Sequence, residues 1–328
     1  MKIVRLLSAI LLGGTLVSSS HAIVITENFS AGGLGGNPFA RGWSAVGDTN
    51  LFVWNSAAGH LEVTWDSSKP NSFFHQPLGM TLNRSNTFWV SFDLTLSSIA
   101  SQGEKLGAMQ VAVGFINLAQ ATNANYYRGT GFDSPNVVEF NYFHDTGFGE
   151  SVSPVIISRD NQFAAGFRGF EFELNETYQI QMLYTAHDQT LATVVRHNGT
   201  NALESSVVIP ASAASFSDFE VDTVAISSYS DEGQNPLWAG SILAHGIIDR
   251  IVVSTPAPTL GTVKLHKSAD TWRAEVYCQP GHTYVLQRTT DFQTWSDVDT
   301  ELAVSPRLVL QDGSPVSGNG YYRVMKLP

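Results

Sequence analysis

The segment EFELNE, Glu171 to Glu176, brings three carboxylates within six residues. Hydrolysis of a glycosidic bond with retention needs two such groups about 5 Å apart, one to attack and one to carry the proton. Glu171 and Glu173 also alternate with Phe170, Phe172 and Leu174, the pattern of a strand with one face in water. Glu176 falls in LNET, which reads as the turn ahead of a strand starting at 177. Alternation alone accounts for the spacing, so no catalytic residue is assigned, and Glu171, Glu173 and Glu176 stand as the acids to test.

A second group has the chemistry of recognition. NANYYRGTGF carries Tyr126, Tyr127 and Arg128, FNYFHDTGF carries Tyr142 and His144, and NPLWAG carries Trp238. Aromatic rings stack on sugar faces, while planar polar side chains reach the hydroxyls. In VVEFNYF, Glu139 and Asn141 share a face with Phe143, which gives a mixed polar and aromatic surface. These eight residues form the expected ligand-binding set. The plain alternative for each ring is core filling or loop pinning, and for His144 a surface loop. Other chemistry has no footing: the chain holds no His-Glu-x-x-His, no P-loop and no Gly-x-Ser-x-Gly elbow. Cys278 is the only cysteine, which excludes an intramolecular disulfide.

The elements that must position these groups read as strands throughout. HLEVTWD (60–66) and TFWVSFDLTLS (87–97) alternate cleanly. AMQVAVGFI (108–116), NVVEFNYF (136–143), VDTVAIS (221–227) and GIIDRIVV (246–253) continue the series. TYQIQMLYTA (177–186) and QTLATVVRH (189–197) read as a hairpin around His187 and Asp188. Charged residues make up only 14% of the chain, and turn formers such as HNGTN and SDEGQNP separate the apolar runs. The expected fold is all-β: a two-sheet jelly-roll sandwich followed by a small β-sandwich-like C-terminal domain.

Residues 1–22 read as a signal peptide, with Lys2 and Arg5 ahead of an apolar run, and Ser20 and Ala22 three and one before the cut. Its removal takes two basic and no acidic residues, moving the net charge from −11 to −13. Such a chain is repelled by phosphate backbones, so nucleic acid is excluded as a partner, and no later run is long enough to span a membrane. The expected location is outside the cytoplasm: secreted, periplasmic or on the cell surface. The sandwich is assigned to 23–255, a Pro-containing linker to 256–259 and the small domain to 260–328. In its YVLQRTTDFQTW, Tyr284 and Leu286 share a strand face. Thr290 or Asp291 is expected to cap one helical turn that sets Phe292 and Trp295 inward, under Tyr321, Tyr322 and Val324.

The opening ITENFS, the antiparallel middle and the closing AHGIIDRIVVS resemble the concanavalin A-like lectin/glucanase superfamily, which includes laminin-G-like domains. VVEFNYFHDTGFGESVSPVIISRDNQFAAGF with VDTVAISSYSDEGQNP, and the tail phrase YVLQRTTDFQTW…YYRV, resemble uncharacterised exported proteins of Verrucomicrobia-like bacteria. The superfamily resemblance implies adjacent first and last strands. Its laminarinase-type glycosidases carry Glu-x-Asp-x-x-Glu, against which this chain has Glu173 in place of the Asp. It also implies a structural Ca2+ near the first and last strands, for which Glu27 and Asp249 are the candidate ligands; no other cofactor is expected. Asp249 shares a face with Ile247, Ile251 and Val253, so its carboxylate needs a partner. That partner is an ion, the Arg250 neighbourhood across the sheet, or backbone amides. The expected function is non-catalytic binding of an extracellular polysaccharide. A glycoside hydrolase or polysaccharide lyase, and a structural or adhesive envelope protein, are the alternatives. The C-terminal domain is expected to contact the cell envelope or export machinery.

Overall fold

The computed structural model describes residues 23–31, 37–101, 110–128, 134–144, 149–209, 216–231, 241–255, 263–268, 271–277, 283–291, 293–303, 307–316 and 320–327. The signal segment, the linker, Phe292, Cys278 and Trp238 lie outside them. Two antiparallel sheets form the larger part. The first runs, edge to edge, Thr200–Val208, Thr190–His197, Thr177–Thr185, Phe88–Ser101, Ile242–Thr255, His60–Asp66 and Phe52–Asn55. The second runs Phe163–Ala165, Val155–Ile157, Val137–Phe143, Val111–Ile116, Val221–Ser228, Ser72–Leu82 and Ser44–Val46. The opening strand Ile23–Glu27 pairs with the end of Ile242–Thr255, Ile23 opposite Thr255, so the first and last strands of the sandwich are joined. Among the described residues no helix is long and apolar enough to cross a membrane.

Alternation decides what fills the space between the sheets. Leu61, Val63 and Trp65 are buried while Glu62 is exposed. On Phe88–Ser101, two strands away, Phe88, Val90, Phe92, Leu94 and Leu96 are buried between the sheets. Rings from both sheets interlock, Phe88 meeting Phe115 edge-on at 5.1 Å and Phe92 meeting Phe140 at 5.8 Å, while Trp43 stacks on Phe74 at 5.0 Å on the second-sheet side. Such contacts add directional preference to the burial that drives the sheets together. The hairpin 177–197 forms as the sequence reads, with Thr185 opposite Thr190.

One bulge changes which residues share a face. Along Ile242–Thr255, Asp249 stands opposite Asp93 but Val252 stands opposite Ser91, so this strand carries one residue more than its neighbour. Arg250 supplies the kink with φ of 48°. A bulge resets the two-residue period. Ile251 and Val253 therefore point into the core with Val90, whereas Ile247 and Asp249 face outward with Thr95 and Asp93. The expectation that all four share one face is corrected by this single extra residue.

The C-terminal residues form two three-stranded sheets. One holds Val263–Ser268, Thr271–Tyr277 and Arg307–Asp312; the other holds Ser296–Leu302, Thr283–Thr289 and Tyr321–Lys326. Ala274, Val276, Tyr284, Leu286, Ala303 and Leu310 are buried together, with Tyr322 and Val324 packed against them. Asp291 makes the expected capping bonds, but the described residues after it do not continue as a helix. Its Oδ1 accepts the amides of Thr294 and Gln293 at 2.9 and 2.8 Å and the Thr289 hydroxyl at 2.9 Å. Those bonds, the Thr294 amide foremost, pull its carboxyl down to about 2. Trp295 is half-buried and lies under Arg323, whose guanidinium carbon is 4.1 Å from the ring centroid. It is a surface cation–π partner and not part of the buried cluster.

Candidate functional site

The outer face of the second sheet, with the segment covering it, carries five of the eight residues expected to bind a ligand. Phe140, Phe115 and Phe74 turn toward the first sheet, so their strand neighbours turn away from it. This places Val155, Glu139, Gly114, Ala225, His75 and Ser44 in one row across five strand pairings. The next row holds Asn141, Ala112, Ser227, Phe73 and Val46. The middle of both rows is small. At Gly114 a Cβ would lie 2.4 Å from the Glu139 Cα, so only glycine lets Val111–Ile116 and Val137–Phe143 approach this closely.

A folded-back segment covers part of this face. Asn117 caps the short helix Leu118–Ala121 by accepting the Gln120 amide at 3.2 Å, and Asp222 accepts the Leu118 amide at 3.0 Å. Asn71 then bridges the segment to the sheet, donating to the Tyr126 carbonyl at 2.8 Å and accepting the Ser230 amide at 2.8 Å. Ser134 accepts the Tyr127 amide at 2.8 Å. Beyond it Arg128 enters the sheet face and pairs with Glu139.

Arg128, Glu139 and Tyr229 form a buried lock. Glu139 is 0% exposed; one carboxylate oxygen takes the Arg128 guanidinium and the other accepts the Tyr229 hydroxyl at 2.8 Å. Burial, with the Glu139 charge adding to it, pushes the Tyr229 phenol well above its ordinary value, so it remains a donor. The Arg128 guanidinium carbon stands 5.3 Å from the Tyr229 ring centroid, and Phe73 and Tyr126 flank that ring at 5.8 and 6.4 Å. A carboxylate with both oxygens engaged and no access to solvent is a structural anchor; it is not placed to attack a substrate.

Beside the lock lies a cleft of about 430 Å³, lined by Pro70, Asn71, Phe73, Asn123, Tyr126 and Tyr127 among others. Tyr126 is 3% exposed and belongs to its wall, whereas Tyr127 is half-buried. Tyr127 and Asn123 are the aromatic and amide side chains of this lining left open to solvent, the residue types that stack on and hydrogen-bond to sugars.

Other sequence-selected residues fall elsewhere. Tyr142 is in the core between the sheets, 1% exposed and edge-on to Phe172 at 4.8 Å, and burial raises its pKa. Alternation with Glu139 and Asn141 sends it inward, which removes it from any ligand face. Asn141 is on the outer face as expected but 2% exposed, donating to the Ser153 carbonyl at 3.2 Å. His144 is half-buried at the strand end, and Trp238 lies outside the described residues. Glu171, Glu173 and Glu176 are exposed on an irregular segment that turns at Leu174–Asn175, so the strand edge read from their alternation is absent. Glu176 faces His197 Nε2 at 3.1 Å. Glu27 is not brought to Asp249. It lies on the core side of its strand, 1% exposed, accepting the Phe29 amide at 2.6 Å and pairing with Arg41. Asp249, moved outward by the bulge, accepts the Arg250 amide at 2.7 Å, and burial raises its pKa. The partner its carboxylate requires is thus a backbone amide. Among the described residues no group of three or more His, Cys, Asp or Glu is arranged to hold a metal.

His75 was not singled out in the sequence. It is 7% exposed on the outer face, its Nδ1 has no partner among the described residues, and burial pulls its pKa below 6.5. As pH falls through the ordinary imidazole range, the unfolded chain takes up this proton while the folded ring resists it. The unfolded state then binds more protons, so stability declines with falling pH. Urea midpoints measured from pH 7.5 to 5.5 are expected to fall less steeply in His75→Gln than in the parent protein. Equal slopes would contradict a neutral buried ring.

No family model matches the chain, and no curated protein matches it. Among solved structures, peanut lectin with a 9mer peptide is similar at 12% identity and a TM-score of 0.46, over 72% of this chain and 98% of that one. Lectin II from Ulex europaeus is similar at 12% identity and 0.44, over 72% and 98%. Arcelin-5, a lectin-like defense protein from Phaseolus vulgaris, is similar at 11% identity and 0.43, over 71% and 98%.

Proposed function

We propose that the chain is an exported, non-catalytic glycan-binding protein whose ligand occupies the cleft beside Tyr127. The observation that carries this reading is the lining itself, the half-buried Tyr127 and the exposed Asn123 beside a cleft of about 430 Å³. The absence of catalysis is supported by the state of the acids. Glu139 is spent in the lock, and Glu171 and Glu173 stand exposed on a segment outside the cleft. In this reading 23–255 is the binding unit and 260–328 an accessory module for attachment to the cell envelope or for export.

Retention of the mature protein on a panel of insoluble polysaccharides tests the proposal. Retention on at least one glycan is expected, with affinity lowered roughly tenfold in Tyr127→Ala, the equivalent of one lost stacking contact of about 1.4 kcal/mol. No retention on any glycan, with and without calcium, would sink it. Release of reducing sugar that disappears in Glu171→Gln would replace it with the hydrolase.

A further inference from the structure

The outer face of the first sheet holds a second polar cluster, independent of the glycan cleft. Gln179 stands directly opposite Arg196 on one neighbouring strand and Asp93 on the other, and Gln181 stands opposite Ser91. Residues on an outer sheet face are ordinarily solvated, yet Ser91 and Asp93 are 4% exposed, Gln181 5% and Arg196 6%. A cavity of about 360 Å³ adjoins them, lined by Ser91, Gln179, Arg196, Asn198 and Arg250 among others.

The two arginines in this lining differ in their partners. Arg250 is paired with Asp93. Arg196 donates from Nε to the Asn201 side-chain oxygen at 3.0 Å, and its two terminal amines meet no acceptor among the described residues. Burial pulls its pKa down, with only the Glu204 charge working against that. A guanidinium left with little of its surface in water, and with no anion beside it in the cavity it lines, carries a desolvation cost that no partner offsets. Its planar fork matches the paired oxygens of a carboxylate or sulfate, and a bound oxyanion would offset that cost.

We propose that this cavity binds an oxyanion, the carboxylate or sulfate of an acidic saccharide, with Arg196 as its bidentate anchor. Calorimetric titration of the full mature chain with glucuronate, glucose 6-sulfate and neutral glucose tests it. Binding of at least one of the two anionic sugars is expected, with glucose silent at the same concentration; which of them binds identifies the anion. Arg196→Gln is expected to weaken that binding at least tenfold, while Tyr127→Ala leaves it unchanged, so failure here is distinct from failure of the glycan cleft. Gln179→Glu reads the same site should Arg196→Gln not fold, because its new carboxylate occupies the fork and is expected to weaken binding at least tenfold. Silence of both anionic sugars, equal binding of glucose, or full binding in the folded variants would overturn the assignment.

Discussion

Arg128→Met is expected to destabilise the sandwich by about 3–5 kcal/mol, the cost of stranding one member of a buried ion pair. Glu139 is 0% exposed and has no route to water, so removal of Arg128 leaves its charge supported by the Tyr229 hydroxyl alone. The loss comes from the orphaned charge more than from the vanished bond, and that distinction is testable. Glu139→Gln in the Arg128→Met background removes the charge and is expected to restore part of the stability, although each single change destabilises. Urea unfolding followed by intrinsic fluorescence gives the cycle. Additive losses from the two changes would mean that the pair is not coupled. The same variant reports on the cleft, because Arg128 directly follows Tyr126 and Tyr127 in the chain and ties them to Glu139. A sandwich that stays folded in Arg128→Met is expected to lose glycan retention along with stability.

Most of the sandwich was legible because alternation is a direct record of a one-sided core. His60–Asp66, Val137–Phe143 and the 177–197 hairpin fall where the pattern puts them. Ser72–Leu82 was hidden because Pro77 and Gly79 interrupt its pattern, and the structure spends both on an irregular stretch, Gly79 having φ of 73°. Ser296–Leu302 was hidden for another reason. It is an edge strand of acidic and small residues with little of its surface buried, so composition offered no apolar face to read.

The site was legible by residue type but not by burial. Arg128 and Glu139 were picked out as surface groups, and the structure turns them into an internal lock. What completes the lock is Tyr229, in a stretch that reads as turn formers ahead of SDEGQNP. Asn71, which clamps the covering segment, sits in a short polar link between two strands and has no local signal. Parity, followed strictly, would have sent Tyr142 inward with Phe140. Parity followed strictly across Arg250 gives the wrong side for Asp249, because a bulge leaves no compositional mark. Alternation is dependable within an unbroken ladder and stops at its first extra residue.

That distinction between position in a pattern and position in the core decides the C-terminal module. Trp295 looks like the clamp of YVLQRTTDFQTW because it is the largest apolar residue there, yet it lies half-buried under Arg323. Leu286 is smaller and 0% exposed, next to Tyr284, Ala274 and Leu310 in the module's own cluster. Removing a fully buried leucine costs about 2–5 kcal/mol, and a core this small rarely supplies more than about 3–5 kcal/mol in total. Leu286→Ala is therefore expected to unfold the C-terminal module while the sandwich, with a separate core, remains intact. Trp295→Ala forfeits an exposed cation–π contact of about 0.5–1 kcal/mol and is expected to leave the module folded. Limited proteolysis separates the two outcomes: cleavage throughout 263–327 with a resistant sandwich in Leu286→Ala, and resistance across both parts in Trp295→Ala. A protease-sensitive module in Trp295→Ala would restore the indole to the core, and a resistant one in Leu286→Ala would mean that the buried cluster is not what holds these six strands together.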